Sequence, residues 1–362
     1  MLADFDSIRL PLALVDADLF AVGFDHARQV IDLRTGYSRP ALQANLITKS
    51  LSVDRLGDSS KAVRWLEFLA QIFGDDAELI DWLKRWCGYM LTGSTSEQIF
   101  VFCFGLGANG KSVLGDILRY ILGDYARSIA PELLTEAKRT SGSATPDLAE
   151  LIGARMALTA ETEDGAKLAE SLLKGLVSGD AMTYRRLYAA QGQFTPQFKL
   201  MMLGNHKPIT KGTDQGIWRR VRLIPFRRTF KPEERDTGLA DKLKAEAPDI
   251  LAWMVEGCLD WQKRGLSDTP KTIQDATESY QEEQDVIGGW LSECCDLSPM
   301  NESSSTAIYT NYKTWCIDNG IRPFSNIGMG RKLAERGFFV RSSSGRSLWT
   351  GLSLREAVAS DF

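Results

Sequence analysis

A glycine-rich segment followed by lysine and serine, Gly105 to Ser112, has the residue types and spacing of a phosphate-binding loop. The segment is GLGANGKS, so it matches G-x-x-x-x-G-K-S and carries a further glycine at position 107. Glycines allow successive backbone N–H groups to turn toward one anion, and the start of a following helix adds the positive end of its dipole. Lys111 would reach the β- and γ-phosphates of a nucleoside triphosphate, and the Ser112 hydroxyl would hold Mg²⁺.

The segments on either side of this loop have the patterns of a strand and a helix, the order that a phosphate-binding loop requires. Residues 99–104 form an unbroken apolar run, typical of a strand buried on both faces, and apolar residues recur at helical spacing from Val113 to Ile121. A glycine-rich turn without a ligand is the alternative, but it does not account for both flanks. We expect ATP and Mg²⁺ as cofactors, and the residues expected to bind the nucleotide are Gly105, Gly107, Ala108, Asn109, Gly110, Lys111, Ser112 and Val113.

Two carboxylates, Glu161 and Glu163, follow a second short apolar run that starts at Met156. On an extended chain, residues two apart point to the same side. One carboxylate would hold the metal through water, and the other could polarise the water that attacks the γ-phosphate. A solvated acidic loop is the alternative, and the sequence leaves open which of the two glutamates holds the metal.

Two further polar groups lie beside apolar runs. Asn205 ends the segment LMMLGN, and its amide could hydrogen-bond the γ-phosphate or the attacking water, although a simple turn is the alternative. Arg219, Arg220 and Arg222 come at the start of another apolar run. A guanidinium offered across a subunit boundary would stabilise transition-state charge. A surface basic cluster that pairs with acidic neighbours is the alternative.

The order of apolar runs and helical patterns predicts an α/β fold in which a mostly parallel sheet carries a P-loop NTPase core. Four strands are predicted, at 99–104, 156–160, 198–203 and 221–226. Helical patterns precede them over 60–91, where GDD at 74–76 predicts a turn with a helix N-cap between two helical segments. Others follow them over 239–264, 274–293, 306–319 and 325–336, and the last of these leads into a possible hairpin. The predicted domains are an N-terminal α+β segment, a small helical collar-like domain, the ATPase domain and a winged-helix-like domain, over 1–60, 61–95, 96–268 and 269–362.

Composition restricts the class of protein. The chain has 362 residues, 44% of them hydrophobic and 25% charged, as in globular proteins. The net charge of this chain, −4, excludes a protein that coats nucleic acid with its whole surface, so any contact with nucleic acid must be local. Six cysteines without a C-x-x-C pair and only two histidines favour neither a zinc ribbon nor a disulfide framework, and fit a reducing compartment. No apolar run is long enough to cross a membrane, and the acidic first residues are not typical of a signal peptide, so no membrane partner is expected.

These motifs, in this order, resemble superfamily 3 helicases. The set comprises the glycine loop at 105–112, the Glu161/Glu163 pair, KGLVSGD ending at Asp180, Asn205 with HKP, and GIWRR ending at Arg220. The type it most resembles is the C-terminal helicase half of phage and plasmid primases, which is related to poxvirus helicase-primases. The resemblance extends over residues 60 to 350.

The resemblance implies an AAA+-like core in a hexameric ring, with ATP bound between subunits and 3′-to-5′ translocation on single-stranded or forked DNA. It further implies replication of a phage, plasmid or integrated element, in the cytoplasm of a bacterial host or of a virus-infected cell, with a primase or polymerase as partner. By motif position, Asn205 is the sensor and Arg220, or Arg219, is the finger that acts on the neighbouring subunit. On this reading an Arg220→Ala variant assembles and binds ATP but hydrolyses it poorly.

The resemblance also implies DNA contacts. Family members carry a channel hairpin that should fall at 180–195 here, with Lys174 upstream matching a family lysine; at the tip, Leu187-Tyr188 replaces the Lys-His of viral relatives. A basic face in the tail would touch DNA, unless it is only a solvated surface. The residues expected to contact DNA are Lys174, Arg185, Arg186, Tyr188, Arg331, Lys332 and Arg341. A P-loop ATPase that remodels or loads partners without unwinding, and a DNA-binding protein switched by nucleotide, are the alternatives.

Overall fold

The computed structural model describes residues 15–24, 28–136, 146–160, 165–185, 191–210, 215–343 and 346–355. The described chain divides into two compact units, one ending at Thr277 and the other beginning at Glu278. Most of the first three domains predicted from the sequence therefore lies within one unit. Among the described residues no helix combines the length and the apolar character that a membrane crossing needs.

The first unit begins with a small sheet and two helices. The strands are β1 (Ala21–Phe24), β2 (Gln29–Asp32), β3 (Tyr37–Pro40) and β4 (Ser50–Leu51), and the helices are α1 (Val63–Phe73) and α2 (Ala77–Leu91). The sheet order is β3-β2-β1-β4, with only β1 and β4 parallel. The turn between the helices forms as predicted: Gly74 ends α1 with a φ of +66°, and the Asp76 carboxylate caps α2 by accepting from the Leu79 N–H at 3.0 Å.

A five-stranded parallel sheet follows. Its elements and their connections are β5 (Phe100–Phe104), α3 (Lys111–Leu122), β6 (Ala126–Ser128), α4 (Pro146–Glu150), β7 (Met156–Ala160), α5 (Glu170–Ser178), β8 (Met182–Arg185), β9 (Gln191–Phe194), β10 (Lys199–Gly204), α6 (Gln215–Trp218) and β11 (Val221–Pro225). The order is β11-β5-β10-β7-β6, and β8 and β9 form a separate antiparallel hairpin. All four predicted strands are confirmed. The fifth, β6, was missed because its three residues include an arginine and a serine and so form no apolar run.

The register of β5, β7 and β10 places the segments that follow these strands close together. Leu203 of β10 pairs with Cys103 of β5 on one side and with Ala160 of β7 on the other. In a parallel sheet the carboxyl ends of all strands lie at one edge, where ligands usually bind. The segments after β5, β7 and β10 therefore begin side by side.

Two helices complete this unit, α7 (Leu239–Ala245) and α8 (Ala247–Arg264). A single helix over 239–264 was predicted, and the prediction was wrong at Pro248, which lies in the first turn of α8, where its missing N–H costs nothing. Helices α8 and α2 approach closely at two glycines: a Cβ on Gly88 would lie 2.0 Å from the Cys258 nitrogen, and one on Gly257 would lie 2.1 Å from the Lys84 oxygen. Apolar side chains of α1, α2, α8, the small sheet and the parallel sheet form one continuous core.

The second unit has its own core, centred on Trp290, Tyr312 and Leu333. Its elements, starting from a helix that spans the division, are α9 (Lys271–Gln284), α10 (Val286–Cys294), β12 (Cys295–Ser304), α11 (Ser305–Asp318), α12 (Asn326–Glu335), β13 (Phe339–Ser343) and β14 (Arg346–Leu354). The predicted helix over 274–293 is broken at Asp285, whose carboxylate caps α10 by accepting from the Gly288 N–H at 2.9 Å. The predicted hairpin is confirmed as β13–β14, and β12 pairs with its other edge, which the sequence did not suggest.

Candidate active site

A pocket of about 400 Å³ lies at the carboxyl edge of the parallel sheet. Its wall consists of residues 107–113 of the glycine loop, Ala160 at the end of β7, and residues 203–205 at the end of β10. The loop residues, the strand that leads to the predicted carboxylates and the predicted sensor thus share one cavity.

The loop conformation depends on its glycines. Gly110 has a φ of +88°, and a Cβ there would lie 2.7 Å from a methyl carbon of Ile72 on α1. A Cβ on Gly105 would lie 2.5 Å from the Phe226 oxygen, so the loop runs against the end of β11 as well. L-residues rarely adopt the first conformation, and neither close approach leaves room for a side chain. Backbone geometry therefore requires glycine at positions 105 and 110.

Lys111 is buried at the base of this pocket, with 6% of its surface exposed. Its ammonium donates to the Gly105 carbonyl, to Asn109 Oδ1 at 3.1 Å and to Asn205 Oδ1 at 3.0 Å. These three acceptors are neutral oxygens, and a phosphate oxygen would be a stronger, charge-assisted acceptor for the same ammonium. The ammonium is thus held between the glycine loop and the residue that follows β10.

Asn205 reaches the pocket because β10 lies between β5 and β7 in the sheet. The Asn205 side chain extends from the end of β10 to Lys111, which follows the neighbouring strand β5. The structure therefore brings together Lys111 and Asn205, which are 94 residues apart in sequence. The amide nitrogen of Asn205 can donate to a ligand oxygen while its oxygen accepts from lysine.

The residues predicted to hold Mg²⁺ are described only in part. Ser112 is exposed in the first turn of α3, lines the pocket, and offers a hydroxyl oxygen of the kind that Mg²⁺ accepts. Glu161 and Glu163 lie outside the described residues, although Ala160, which precedes them, lines the same pocket. Among the residues that are described, no group of three or more His, Cys, Asp or Glu could hold a metal by itself.

The predicted arginine finger lies at the opposite edge of the sheet. Val221, the first residue of β11, pairs with Phe100, the first residue of β5. Five residues of strand therefore separate Arg219 and Arg220 from the glycine loop of their own chain, roughly 16 Å at 3.3 Å per residue. Neither guanidinium is placed to act on the pocket of its own subunit.

The two arginines between which the finger role was left, Arg220 and Arg219, differ in burial. Arg220 is buried, with 7% of its surface exposed, and its guanidinium donates to the Gly216 carbonyl at 2.6 Å. Its backbone carbonyl accepts from the Phe100 N–H at 2.9 Å, so the residue fixes the start of two strands. Arg219 is exposed. Of the two, only Arg219 has an exposed side chain.

The hairpin β8–β9 occupies the segment where a DNA-binding hairpin was predicted. Arg185 is exposed at the end of β8, and Lys174 is half-buried on α5, which precedes the hairpin. The rings of Tyr184 and Phe194 pack edge to face, 5.9 Å apart, across the two strands. Two of the residues predicted to contact DNA, Arg186 and Tyr188, lie outside the described residues.

The three basic residues predicted in the tail differ in their surroundings. Arg331 is exposed on α12. Lys332 is half-buried, 3.5 Å from the Glu335 carboxylate. Arg341 donates two hydrogen bonds to the Glu302 carboxylate, which lowers the pKa of that glutamate. Arg341 therefore has a carboxylate partner within the chain that a DNA phosphate would have to displace.

The sequence analysis missed a second cleft of about 230 Å³ beside the glycine loop. It lies between α1 and residues 230–239 and shares Ala108, Gly110 and Val113 with the first pocket. Its two sides are far apart in sequence and carry no recognisable motif, so no sequence signal could have found it.

Comparisons with known proteins relate the chain to viral proteins named as putative helicases and primases. Residues 103–220 match the model of DUF5906, a family of unknown function. The chain is 29% identical over 331 residues to "Putative helicase L207/L206" of Acanthamoeba polyphaga mimivirus, which covers 84% of this chain and 34% of that protein. It is 30% identical over 276 residues to "Putative helicase 022R" of Frog virus 3, covering 70% and 28%. Against "Putative primase C962R" of African swine fever virus (strain Badajoz 1971 Vero-adapted), identity is 24% over 274 residues, covering 69% and 28%.

The chain thus spans about a third of the length of these curated relatives. Among solved structures, the apo form of the NrS-1 C-terminal region (305–718) superposes with a TM-score of 0.57 at 11% identity, covering 91% of this chain and 84% of that one. This likeness concerns the fold. Most of the chain is therefore similar to one region of longer proteins named as helicases or primases in large DNA viruses.

Proposed function

We propose that this chain is an ATP-dependent DNA helicase of the superfamily 3 type, acting in the replication of a virus, plasmid or integrated mobile element inside the infected or host cell. The observation that carries the proposal is the convergence of the glycine loop, Lys111 and Asn205 on one pocket. Similarity to viral proteins named as putative helicases supports nucleic acid as the substrate on which ATP hydrolysis would act.

The pocket would bind Mg-ATP through its loop. Backbone N–H groups of residues 107–112 and the start of α3 would receive the phosphates. Lys111 would exchange its amide and carbonyl acceptors for β- and γ-phosphate oxygens, and the Ser112 hydroxyl would join the shell of Mg²⁺. In this site the metal would neutralise charge that develops on the phosphates.

Hydrolysis would need groups from three other segments. Glu161 and Glu163 would divide the metal and water-activating roles, and Asn205 would orient the water or contact the γ-phosphate. Arg219 would come from the next subunit, because its own pocket lies at the other edge of the sheet. A closed ring, which we propose to be hexameric, would supply such a head-to-tail neighbour at every site. The order of strands, with β10 between β5 and β7, supports an AAA+-like core.

DNA would be gripped by the β8–β9 hairpin and by the second unit. The hairpin carries exposed Arg185 beside the segment that contains Arg186 and Tyr188. In the second unit, α10, α11, α12 and the β13–β14 hairpin support the winged-helix-like assignment, and Arg331 is an exposed basic candidate there. Movement would be 3′ to 5′, beside a primase or polymerase.

The test compares ATP hydrolysis and strand displacement on forked DNA for the wild type, Lys111→Ala and the matched control Lys61→Ala, whose lysine is exposed and lines neither pocket. We expect hydrolysis that single-stranded DNA stimulates and displacement of a duplex with a 3′ tail. The Lys111 variant should lose both activities and the Lys61 variant should keep both.

Different failures would refute different parts of the proposal. Hydrolysis without displacement would indicate a remodelling or loading ATPase. Hydrolysis that DNA does not stimulate would favour a DNA-binding protein switched by nucleotide. Full hydrolysis by Lys111→Ala would refute the phosphate site itself. Displacement that requires a 5′ tail would refute the direction only.

A further inference from the structure

Arg222 is the third arginine of the cluster that follows α6, and the proposed site gives it no role. It is the second residue of β11, where it pairs with Val101 of β5. Three other residues of this strand, Val221, Leu223 and Ile224, are buried, and Arg222 itself is half-buried. Apolar residues are expected in such a strand, so an arginine at its second position needs a physical explanation.

The backbone that carries Arg219 follows a very short helix. Helix α6 is a single turn, and the Arg219 N–H donates to the carbonyl of its first residue, Gln215, at 3.2 Å. A single helical turn is not stable by itself, so other contacts must fix this backbone. The exposed guanidinium of Arg219 supplies none of them, because it has no partner among the residues that the structure describes.

Arg222 supplies two of the contacts that fix this backbone. Its Nη1 atom donates to the carbonyl oxygens of Arg219 and Val221, each at 3.0 Å. An Nη atom carries two N–H groups, so both hydrogen bonds can form at the same time. The two carbonyls lie on either side of Arg220, whose own guanidinium donates to the Gly216 carbonyl on the helix side of the turn. The backbone from which the Arg219 side chain extends is therefore held from the helix side and from the strand side.

Stability alone does not account for an arginine at position 222. Among the described residues its guanidinium donates only to these two carbonyls, and the buried Nε atom has no acceptor. Burial lowers the pKa of Arg222, and the nearby Glu97 carboxylate opposes this effect only in part. The Arg219 carbonyl belongs to an exposed residue, where water could donate in place of the guanidinium, so this hydrogen bond adds less to stability than a buried one. Its main effect is to fix the direction of the backbone.

We propose that Arg222 is a positioning residue for the arginine that acts on the neighbouring subunit: its two hydrogen bonds fix the direction in which Arg219 extends from the backbone. The proposal rests on the proposed role of Arg219. Because Arg222 lies near the edge of the sheet opposite to the phosphate pocket, its loss should lower kcat and leave the KM for ATP unchanged. Because it acts only through Arg219, its loss should have no effect on a chain that lacks the Arg219 side chain.

The test is a double-mutant cycle on the full chain, with ATP hydrolysis measured in the presence of Mg²⁺ and single-stranded DNA. The cycle comprises the wild type, Arg222→Met, Arg219→Ala and the variant with both changes, and Lys111→Ala gives the baseline for residual hydrolysis. Arg222→Met removes the donors and leaves an unbranched apolar side chain, whereas Arg222→Lys keeps a charged donor. Mass measurement checks assembly, and thermal unfolding checks that each variant is folded.

The chain offers a matched control on the other edge strand of the same sheet. Arg127 of β6 is also half-buried and donates to a backbone carbonyl, that of Ala126, at 2.8 Å. Arg127→Met therefore removes a similar arginine that has no contact with the segment around Arg219. Arg55→Met, at a side chain that is 71% exposed, is the control for loss of a surface charge.

We expect Arg222→Met to lower kcat about tenfold to a hundredfold, the effect of misplacing a catalytic group by about 1 Å, with the KM for ATP and the assembly of the wild type. Arg222→Lys should lose less, because an ammonium can still donate to a carbonyl. In the Arg219→Ala background, Arg222→Met should lower kcat no further. If Arg222→Met does not assemble, Arg222→Lys takes its place in the cycle, and its smaller loss should likewise vanish in that background.

The proposal is overturned if Arg222→Met keeps the kcat of the wild type, or if it lowers kcat by the same factor with and without the Arg219 side chain. The second result would indicate a direct contact with the reacting groups or a general loss of structure. An equal fall in kcat for Arg127→Met would also overturn it. Full hydrolysis by Arg219→Ala would instead refute the role of Arg219 itself, so the two failures are distinguishable.

Discussion

Separating Arg219 from Arg220 by mutation is the sharpest test of action between subunits. Arg220→Ala removes a charge-assisted hydrogen bond to the Gly216 carbonyl, worth about 1.5–3 kcal/mol, and also the packing of a buried stem. We expect this variant to lose that much unfolding free energy. Arg219→Ala removes an exposed side chain, so its unfolding free energy should change by no more than about 0.5 kcal/mol.

The rate of ATP hydrolysis should respond in the opposite order, with a larger loss for Arg219→Ala than for Arg220→Ala. An arginine supplied by a neighbour is worth about 10³–10⁵ in kcat, so Arg219→Ala should bind ATP normally and hydrolyse it at least a thousandfold more slowly. Mixing Arg219→Ala with Lys111→Ala restores complete interfaces, because one variant keeps the pocket and the other keeps the finger. In an equal mixture up to roughly a quarter of the interfaces of a cyclic ring would be complete.

The assay is steady-state ATP hydrolysis with single-stranded DNA, on samples whose mass shows that the subunits have mixed, with Arg55→Ala as the control. Full turnover by Arg219→Ala would refute the assignment. So would the absence of recovery in mixed rings, or a loss of turnover by Arg220→Ala without a loss of stability.

Two further outcomes follow from the geometry of the described residues. Gly110→Ala should destabilise the chain by about 2–4 kcal/mol, because the new Cβ would lie 2.7 Å from Ile72 at a residue already strained by a positive φ. Gly74→Ala has a φ of +66° and open space around it, so it should cost only about 1 kcal/mol. Urea unfolding measures both free energies, and equal costs would contradict the steric argument. Arg331→Ala should weaken DNA binding and lower the slope of log affinity against log salt by about one. Arg341→Ala should change that slope less, because its guanidinium already has a carboxylate partner. Titrations at several salt concentrations measure both slopes, and a larger effect at Arg341 would contradict this ranking.

The local structure formed by consecutive residues was predictable from the sequence. The loop around Lys111 needs glycine where the backbone turns and a strand and a helix on either side, and all three requirements are local. The four apolar strands were predictable for the same reason, because a strand buried on both faces cannot carry polar residues. Caps such as Asp76 were readable because a helix start recruits a nearby side-chain acceptor.

Properties that depend on which segments lie side by side required the tertiary structure. The order β11-β5-β10-β7-β6 decides that Asn205 reaches Lys111, and the parallel pairing of β11 with β5 places Arg219 far from its own pocket. No single strand encodes its neighbours. Two adjacent arginines look alike in the sequence, yet the turn into β11 buries Arg220 and exposes Arg219. The second cleft exists only because α1 packs beside the segment after β11. The sequence by itself therefore determined the strand, glycine loop and helix around Lys111, and packing decided which distant residues lie beside that loop.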